Sequence, residues 1–544
     1  MVLKYIPFPA ALPKVNINIP SHPITASFST RSKANMPNYY PQTGPGAPIN
    51  LLRGWPNPKL LPAKELLAAA GQVLTDSSVY SPALLYGPDE GHGPLREALG
   101  KWLSEFYGDA VRKWRQSKAE HADGKLEIDE DRITITGGAS QSLGCILNAV
   151  TDPVVTRRVW VVAPAYFLAF KIFEDAGFAG RMRAVPELDG TDGQSKLSGP
   201  DVQWLRRQLR QVDDEYKKRD DERLKPTPTA KFPKIYKHVI YCVPNFANPS
   251  SVTTSVSVRE DLVRCAREFD ALLICDDVYD MLQWPTEACA LNKESLSKAQ
   301  LPRVVDIERY LDGGVTDNDF GNIISNASFS KICAPGARVG WVEAAPKLAS
   351  AVSQAGTTKS GGAPSQLTST YISQLLVSGI LTKHITTVLQ PAYSRRYHSL
   401  SSAIHEHLVP LGFTLPQPSR DVIGGYFLWL KLPEGLRRRA KKLVRRAEEE
   451  EKVIVAGGEL FEVPLDELAD FSSVRGEEDH AQRTADVART RFTGYIRLCF
   501  SWEEEDRLVD GVRRLAVVAK KMLESAHEDS DDEDKGVSDV KNKC

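Results

Sequence analysis

No stretch of this 544-residue chain reaches the roughly eighteen consecutive apolar residues that a membrane-spanning helix needs, because polar side chains interrupt each apolar run within a few positions. Helical membrane insertion is therefore excluded. Net charge is nearly absent as well, since 69 Lys and Arg stand against 70 Asp and Glu, and no global field draws the chain toward nucleic acid or an anionic surface. The eight cysteines (Cys145, Cys242, Cys265, Cys275, Cys289, Cys333, Cys499 and Cys544) include no Cys-x-x-Cys pair, and six lie in apolar strand-like or helix-like surroundings. That argues against structural zinc and a disulfide framework, and for a reducing compartment. Acidic residues are missing from positions 1–64, the bias of an organelle presequence, yet Pro7, Pro9, Pro13, Pro20 and Pro23 would break the amphipathic helix such a signal uses. The expectation is a disordered extension over 1–48 and a cytoplasmic protein, with a mitochondrial location as the alternative.

What is present is the composition of an ordinary soluble protein, 42% hydrophobic and 26% charged, with no internal repeat. Ile133 to Thr136, Val159 to Ala163, His238 to Val243, Ala271 to Cys275 and Asn322 to Ser328 are short, apolar on consecutive positions and rich in β-branched residues, as buried parallel strands are. Helix-period segments lie among them. Leu95, Leu99, Trp102, Leu103 and Phe106 share one helical face, and Ser257 with Glu260 makes a capping-box pattern ahead of Val258, Leu262, Val263, Ala266 and Phe269. This alternation predicts an α/β fold with a mostly parallel sheet. Residues 187–236, 436–452 and 465–490 are polar insertions; the basic run of the second carries Leu436, Ala440, Leu443, Val444 and Ala447 at helical spacing, so it reads as a surface helix rather than a nucleic-acid site. The run Gly424 to Trp429 suits a half-buried strand, and residues 525–544 read as a solvated acidic tail.

The most informative stretch is Asn326-Ala-Ser328-Phe-Ser-Lys331-Ile-Cys-Ala-Pro-Gly-Ala-Arg338-Val-Gly-Trp341. A lysine directly after a buried strand, between Phe329 and Ile332, is partly desolvated, which lowers its pKa and frees the amine to attack a carbonyl carbon. Ser328 and Arg338 are the residue types that hold a phosphate beside it. Four further places end a strand with a chemically suited group. Ile133 to Thr136 runs into Gly137-Gly138-Ala139-Ser140, an anion site if a helix follows and an ordinary turn otherwise. Tyr166 follows a strand in Ala163-Pro-Ala-Tyr166, where an aromatic serves either a core or a cofactor face. Asn248-Pro249 is a turn by itself. Asp276-Asp277-Val278-Tyr279 ends a buried strand with a carboxylate and a tyrosine three residues later, and the paired acids could hold Mg²⁺.

Together these segments resemble the class I/II aminotransferases, the fold-type-I pyridoxal 5'-phosphate enzymes, and most of all the branch that acts on 2-aminoadipate, kynurenine and aromatic amino acids. The resemblance covers about Ile49 to Leu515 and includes Gly54-Trp-Pro-Asn-Pro58, Leu84-Leu-Tyr86-Gly87 and Tyr495-Ile-Arg497-Leu-Cys-Phe-Ser501. It implies a large cofactor domain over 89–380 and a small domain made from 49–88 and 381–524. It also implies Lys331, Asp276 and Tyr279 as catalytic residues. By the same resemblance Ala139, Ser140, Ser328 and Arg338 hold the phosphate, Tyr166 stacks on the ring, and Asn248 and Tyr279 bond its phenolic oxygen. Gly54, Asn248 and Arg497 hold substrate, with the arginine on the α-carboxylate. Tyr86 reaches the phosphate of a neighbouring subunit, which implies a homodimer with shared sites. The chain departs from the family at Ser250-Ser251, where Thr-Gly is usual. The implied activity moves an amino group from an L-amino acid to a 2-oxo acid such as 2-oxoglutarate, by a ping-pong course, with neither metal, nucleic acid nor membrane as partner. A Cα/Cβ lyase on the same fold is the alternative, and a non-enzymatic regulator is a remote one, since 1–48 is too short and proline-rich for a DNA-binding domain. Arg53 could pair a distal substrate carboxylate or merely cap local backbone, and Tyr39, Tyr40 and Trp55 could floor an aromatic pocket.

Overall fold

All five apolar runs expected as strands form strands, within a residue at each end, in one eight-stranded sheet. In chain order the sheet contains β1 (Ile133–Thr136), β2 (Arg158–Ala163), β3 (Met182–Asp189), β4 (Ser198–Pro200), β5 (His238–Cys242), β6 (Ala271–Asp276), β7 (Ile323–Ser328) and β8 (Gly340–Glu343). Their spatial order is β1-β8-β7-β6-β5-β2-β3-β4. The run from β7 to β3 is parallel, β8 lies antiparallel between β1 and β7, and β4 is antiparallel to β3. The computed structural model describes residues 46–118, 125–190, 197–218, 234–287, 296–316, 319–418, 420–464 and 488–525. Expectations for residues 1–45, Cys289, most of 465–490 and nearly all of the acidic tail fall outside them.

Both faces of the sheet are covered, which is why its strands are apolar at consecutive positions. Val159, Val161, Val239, Tyr241, Leu272 and Ile274 pack with Leu143, Ile146 and Leu147 of the helix Ala139–Val150. On the other face Trp160, Val162, Ile240, Cys242, Leu273 and Cys275 meet Val258, Leu262, Val263 and Ala266 of the helix Val256–Glu268. The expected capping box at the start of that second helix is not made. Ser255 is the N-cap residue, without a side-chain cap, and Ser257 is already one turn position inside. Glu260 is drawn away to accept hydrogen bonds from Trp114 Nε1 at 2.8 Å and Lys118 Nζ at 2.7 Å.

A second, three-stranded antiparallel sheet places Tyr495–Cys499 between Phe427–Lys431 and Ala456–Gly457. Phe427 to Leu430 are all buried, so the half-buried strand expected here is corrected. Trp429 stacks on Tyr495 with ring centroids 5.2 Å apart, while Leu428 and Leu430 meet Leu508 and Val512 of the long C-terminal helix Glu505–Glu524. The basic run forms a surface helix, Ala440–Glu451, whose Leu443 and Ala447 are buried and whose arginines pair with Glu449 and Glu450 one turn on. Leu436 and Leu443 are fully buried, each contributing about 1.5–3 kcal/mol. Residues of both sheets line a cavity at the carboxyl ends of the parallel strands, where open α/β sheets form their crevices.

Candidate active site

A cavity of about 590 Å³ lies at those strand ends, lined by Gly54, Ala139, Ser140, Tyr166, Asn248, Asp276, Tyr279, Ser328, Lys331, Arg338 and Arg497. Every site residue expected from the sequence except Tyr86 is therefore gathered in one place. Tyr86 stands outside the cavity and is 89% exposed.

Lys331 follows β7, with Phe329 and Ile332 buried on either side. Its Nζ donates to the Gly54 carbonyl at 2.8 Å and lies 5.2 Å from the centre of the Tyr426 ring. Burial pulls the ammonium down to about 8, although Asp276 acts in the opposite direction. Asp276 ends β6. Tyr241 Oη donates to its Oδ2 at 2.7 Å, and its Oδ1 is buried with no partner. Burial pushes this carboxyl up to about 6, while the Tyr241 hydrogen bond and Lys331 lower it. Asp277, one residue on, projects from the other face as strand alternation requires, and accepts from Ser325 Oγ at 2.5 Å. The two carboxylates thus serve different clusters and do not form a divalent-cation pair.

One end of the cavity is built for an anion. The helix Ala139–Val150 opens there with no side-chain cap, so the N–H groups of its first turn remain available. Gly138 precedes it at φ +100°, a left-handed conformation suited to glycine, and a Cβ at Gly138 would sit 3.0 Å from Arg338 Nη2 and 3.5 Å from Ser328 Oγ. Among the described residues Arg338 donates to the carbonyls of Gly137 (2.5 Å) and Pro335 (3.1 Å), and Ser328 Oγ lies 2.8 Å from Ser330 Oγ. No carboxylate among the described residues neutralises Arg338.

The opposite wall carries Arg497, on the central strand of the small sheet. It is buried with no carboxylate partner among the described residues. Its Nη1 donates to Asn248 Oδ1 at 2.8 Å, its Nη2 to the Leu52 carbonyl at 2.6 Å, and its Nε has no partner. The guanidinium lies 4.0 Å from the Phe427 ring centre, and burial pulls its pKa down to about 10. Tyr279 is buried under Phe427 and Tyr426. Gly54 comes so close to Phe427 that a Cβ there would lie 2.7 Å from Cζ.

These features fit pyridoxal phosphate: for the phosphate, an uncapped helix end beside a guanidinium that no carboxylate among the described residues neutralises; for the ring nitrogen, an orphaned carboxylate oxygen; and a desolvated amine. Sequence reasoning missed Tyr241, Phe427 and Tyr426. Tyr426 donates to the Lys331 carbonyl at 3.2 Å and touches Tyr393 Oη at 3.1 Å. Tyr241 sat within an apolar run and read as core; only its register opposite Ile274, two residues before Asp276 on the same face, reveals its role.

Comparison with known proteins agrees with this chemistry. The family model "Aminotransferase class I and II" matches residues 58–473. The uncharacterized protein YER152C of Saccharomyces cerevisiae is 34% identical over 431 residues, covering 77% of this chain and 89% of its own. The 2-aminoadipate transaminase of Thermus thermophilus is 24% identical over 478 residues, covering 87% and 91%. The solved kynurenine aminotransferase of Pyrococcus horikoshii, in complex with PMP, superposes with a TM-score of 0.62 at 25% identity, over 88% of this chain and 91% of that one. This chain belongs to the class I and II aminotransferases and is a fold-type-I enzyme dependent on pyridoxal 5'-phosphate.

Proposed function

We propose that the enzyme transfers the amino group of an L-amino acid, 2-aminoadipate or an aromatic one, to a 2-oxo acid such as 2-oxoglutarate, in ping-pong order. The observation that carries this reading is the convergence in one cavity of a desolvated amine, an orphaned carboxylate oxygen and a guanidinium without a counter-ion. When bound, pyridoxal phosphate supplies a carbonyl carbon for amines and a protonated ring that draws off the electron pair left when a proton leaves the amino acid's Cα.

The protein's part is to place and move charge. Ala139, Ser140, Ser328 and Arg338 would hold the phosphate, Tyr166 would cover the ring, and Asn248 and Tyr279 would meet its phenolic oxygen. Asp276, oriented by Tyr241, would keep the ring nitrogen protonated. Arg497 grips the α-carboxylate with a planar fork, which turns the Cα–H bond toward Lys331. Lys331 Nζ, neutral at mildly alkaline pH, takes the Cα proton and returns it elsewhere as a general acid. Donor and acceptor share the Arg497 carboxylate site and therefore occupy it in turn, which supports the ping-pong order. Exposed Leu84, Leu85 and Tyr86, 59%, 70% and 89% accessible, support a homodimer in which Tyr86 reaches the partner's phosphate site.

The test is absorbance of the purified holoenzyme before and after L-2-aminoadipate or L-phenylalanine, with 2-oxo acid release assayed in parallel. A spectral change matched by one equivalent of 2-oxo acid in the absence of any acceptor is expected, and Lys331→Ala should abolish turnover. Release of ammonia in place of a retained amino group would overturn the reading in favour of a lyase.

A further inference from the structure

The segment Leu52-Arg53-Gly54 is held at both ends by the machinery just described. The Leu52 carbonyl accepts from Arg497 Nη2 at 2.6 Å and the Gly54 carbonyl accepts from Lys331 Nζ at 2.8 Å. Arg53 thus stands between the carboxylate-gripping arginine and the reactive amine, and it lines the same cavity. Its backbone needs no help from its own side chain. Asn50 Oδ1 accepts from Leu52 N at 3.1 Å and Arg53 N at 2.9 Å, so the asparagine caps the turn.

The Arg53 guanidinium is set in a corner of two indoles, 4.8 Å from the Trp55 ring centre and 5.1 Å from that of Trp502, whose rings meet edge to face. Aromatic faces orient a guanidinium and leave its in-plane N–H donors free. The nearby acids are taken: Glu503 accepts from Asn50 N and pairs with Arg507, and Glu504 pairs with Lys59 and Arg396. Among the described residues the Arg53 side chain has no hydrogen bond and no ion pair. With Arg338 and Arg497 it is the third arginine that lines the cavity without a carboxylate partner among the described residues.

We propose that Arg53 is a specificity-determining residue that binds the distal carboxylate of a dicarboxylic substrate. The proposal rests on the aminotransferase reading of this site. An amino acid held by Arg497 shares the cavity with Arg53, and on this proposal its distal carboxylate would meet a guanidinium already oriented by Trp55 and Trp502. The same contact serves a dicarboxylic 2-oxo acid as acceptor.

The experiment compares L-2-aminoadipate with L-2-aminohexanoate, which has the same chain length and no distal carboxylate, in wild type, Arg53→Gln and Arg53→Lys. The readout is the ratio of the two kcat/KM values for the amino-donor half-reaction. Replacing a charge-assisted fork by a neutral amide should lower that ratio roughly 10- to 100-fold, mostly through KM, and Arg53→Lys should restore part of it. A ratio unchanged in Arg53→Gln, or both substrates losing activity equally, overturns the proposal. Wild-type enzyme that prefers the uncharged substrate overturns it while leaving the aminotransferase reading intact. Wild type that transfers the amino group of no amino acid at all overturns the reading on which it rests.

Discussion

Asp276 and Asp277 are consecutive, and the strand sends them into two different buried polar clusters. Around Asp277 acids and bases meet in the packed interior, where Asp277 Oδ1 and Asp280 Oδ1 are also buried without a hydrogen-bond partner. Arg303 pairs with Asp306 at 2.8 Å and Glu343 at 2.7 Å, and its guanidinium lies 4.1 Å from the Tyr107 ring centre. Tyr107 Oη donates to Asp280 at 2.7 Å, and Arg259 is held by Asn245 and the carbonyls of Thr254 and Pro302. In the cavity beside Asp276 the charges are left incomplete among the described residues: an orphaned carboxylate oxygen, three arginines, 53, 338 and 497, without carboxylates, and an amine whose hydrogen bond goes to a carbonyl. The first cluster ties β6 to its neighbours; the second waits for charges a ligand brings. The contrast teaches that unpaired groups opening onto a cavity of about 590 Å³, rather than burial, charge or an orphaned oxygen alone, mark the functional cluster.

If this is right, variants in the two clusters fail in different ways. The largest effect is expected at Lys331. Lys331→Ala should lower kcat by about 10⁴-fold or more, since nucleophile and general base are lost together. Its melting temperature without cofactor should not fall, because a desolvated amine is removed; a drop of several degrees would show that Lys331 is structural.

Next come Arg303→Ala and Arg497→Met, compared by urea unfolding of the cofactor-free protein. Removing Arg303 leaves Asp306 with the backbone N–H of residue 303 and Glu343 with Arg132 at 3.8 Å, and the loss of two buried ion pairs should cost about 3–5 kcal/mol. Removing Arg497 leaves no stranded carboxylate and should cost at most about 1 kcal/mol, the worth of the Leu52 and Asn248 hydrogen bonds, while kcat/KM falls about 10²-fold or more. Equal stability losses in both variants would erase the distinction between the clusters.

A smaller effect separates the clusters by pH. Lys331 is free as an amine above its lowered pKa of about 8, so capture of the cofactor by apoenzyme should slow about tenfold per pH unit below that value and level off above it. A midpoint near that of an ordinary lysine would mean that the amine is solvated in solution.

Much of this was legible beforehand. The strands were legible because both sheet faces are covered, which leaves runs such as Ala271 to Cys275 apolar at each position, and the site followed from groups placed just past strand ends. What could not be read depends on neighbours distant in sequence. Tyr241 is indistinguishable from core until the register sets it beside Asp276. Phe427 to Leu430 looked half-buried because alternation says nothing of whether a helix covers the second face.

The smallest predicted effect concerns a local signal that misled. Ser257 and Glu260 have capping-box spacing, but Ser255 takes the cap position and Glu260 bonds Trp114 and Lys118. A capping serine is worth about 1 kcal/mol, whereas Ser257, exposed and inside the helix, should change stability by less than about 0.5 kcal/mol when replaced by alanine. Glu260→Ala should cost about 1–3 kcal/mol, because it leaves the buried Trp114 indole N–H unpaired. Urea midpoints of the two variants decide between local and tertiary control: a Ser257→Ala cost near 1 kcal/mol would mean that the box forms in solution, and near-neutrality beside a costly Glu260→Ala would show that the distant tryptophan has taken the carboxylate from its own helix.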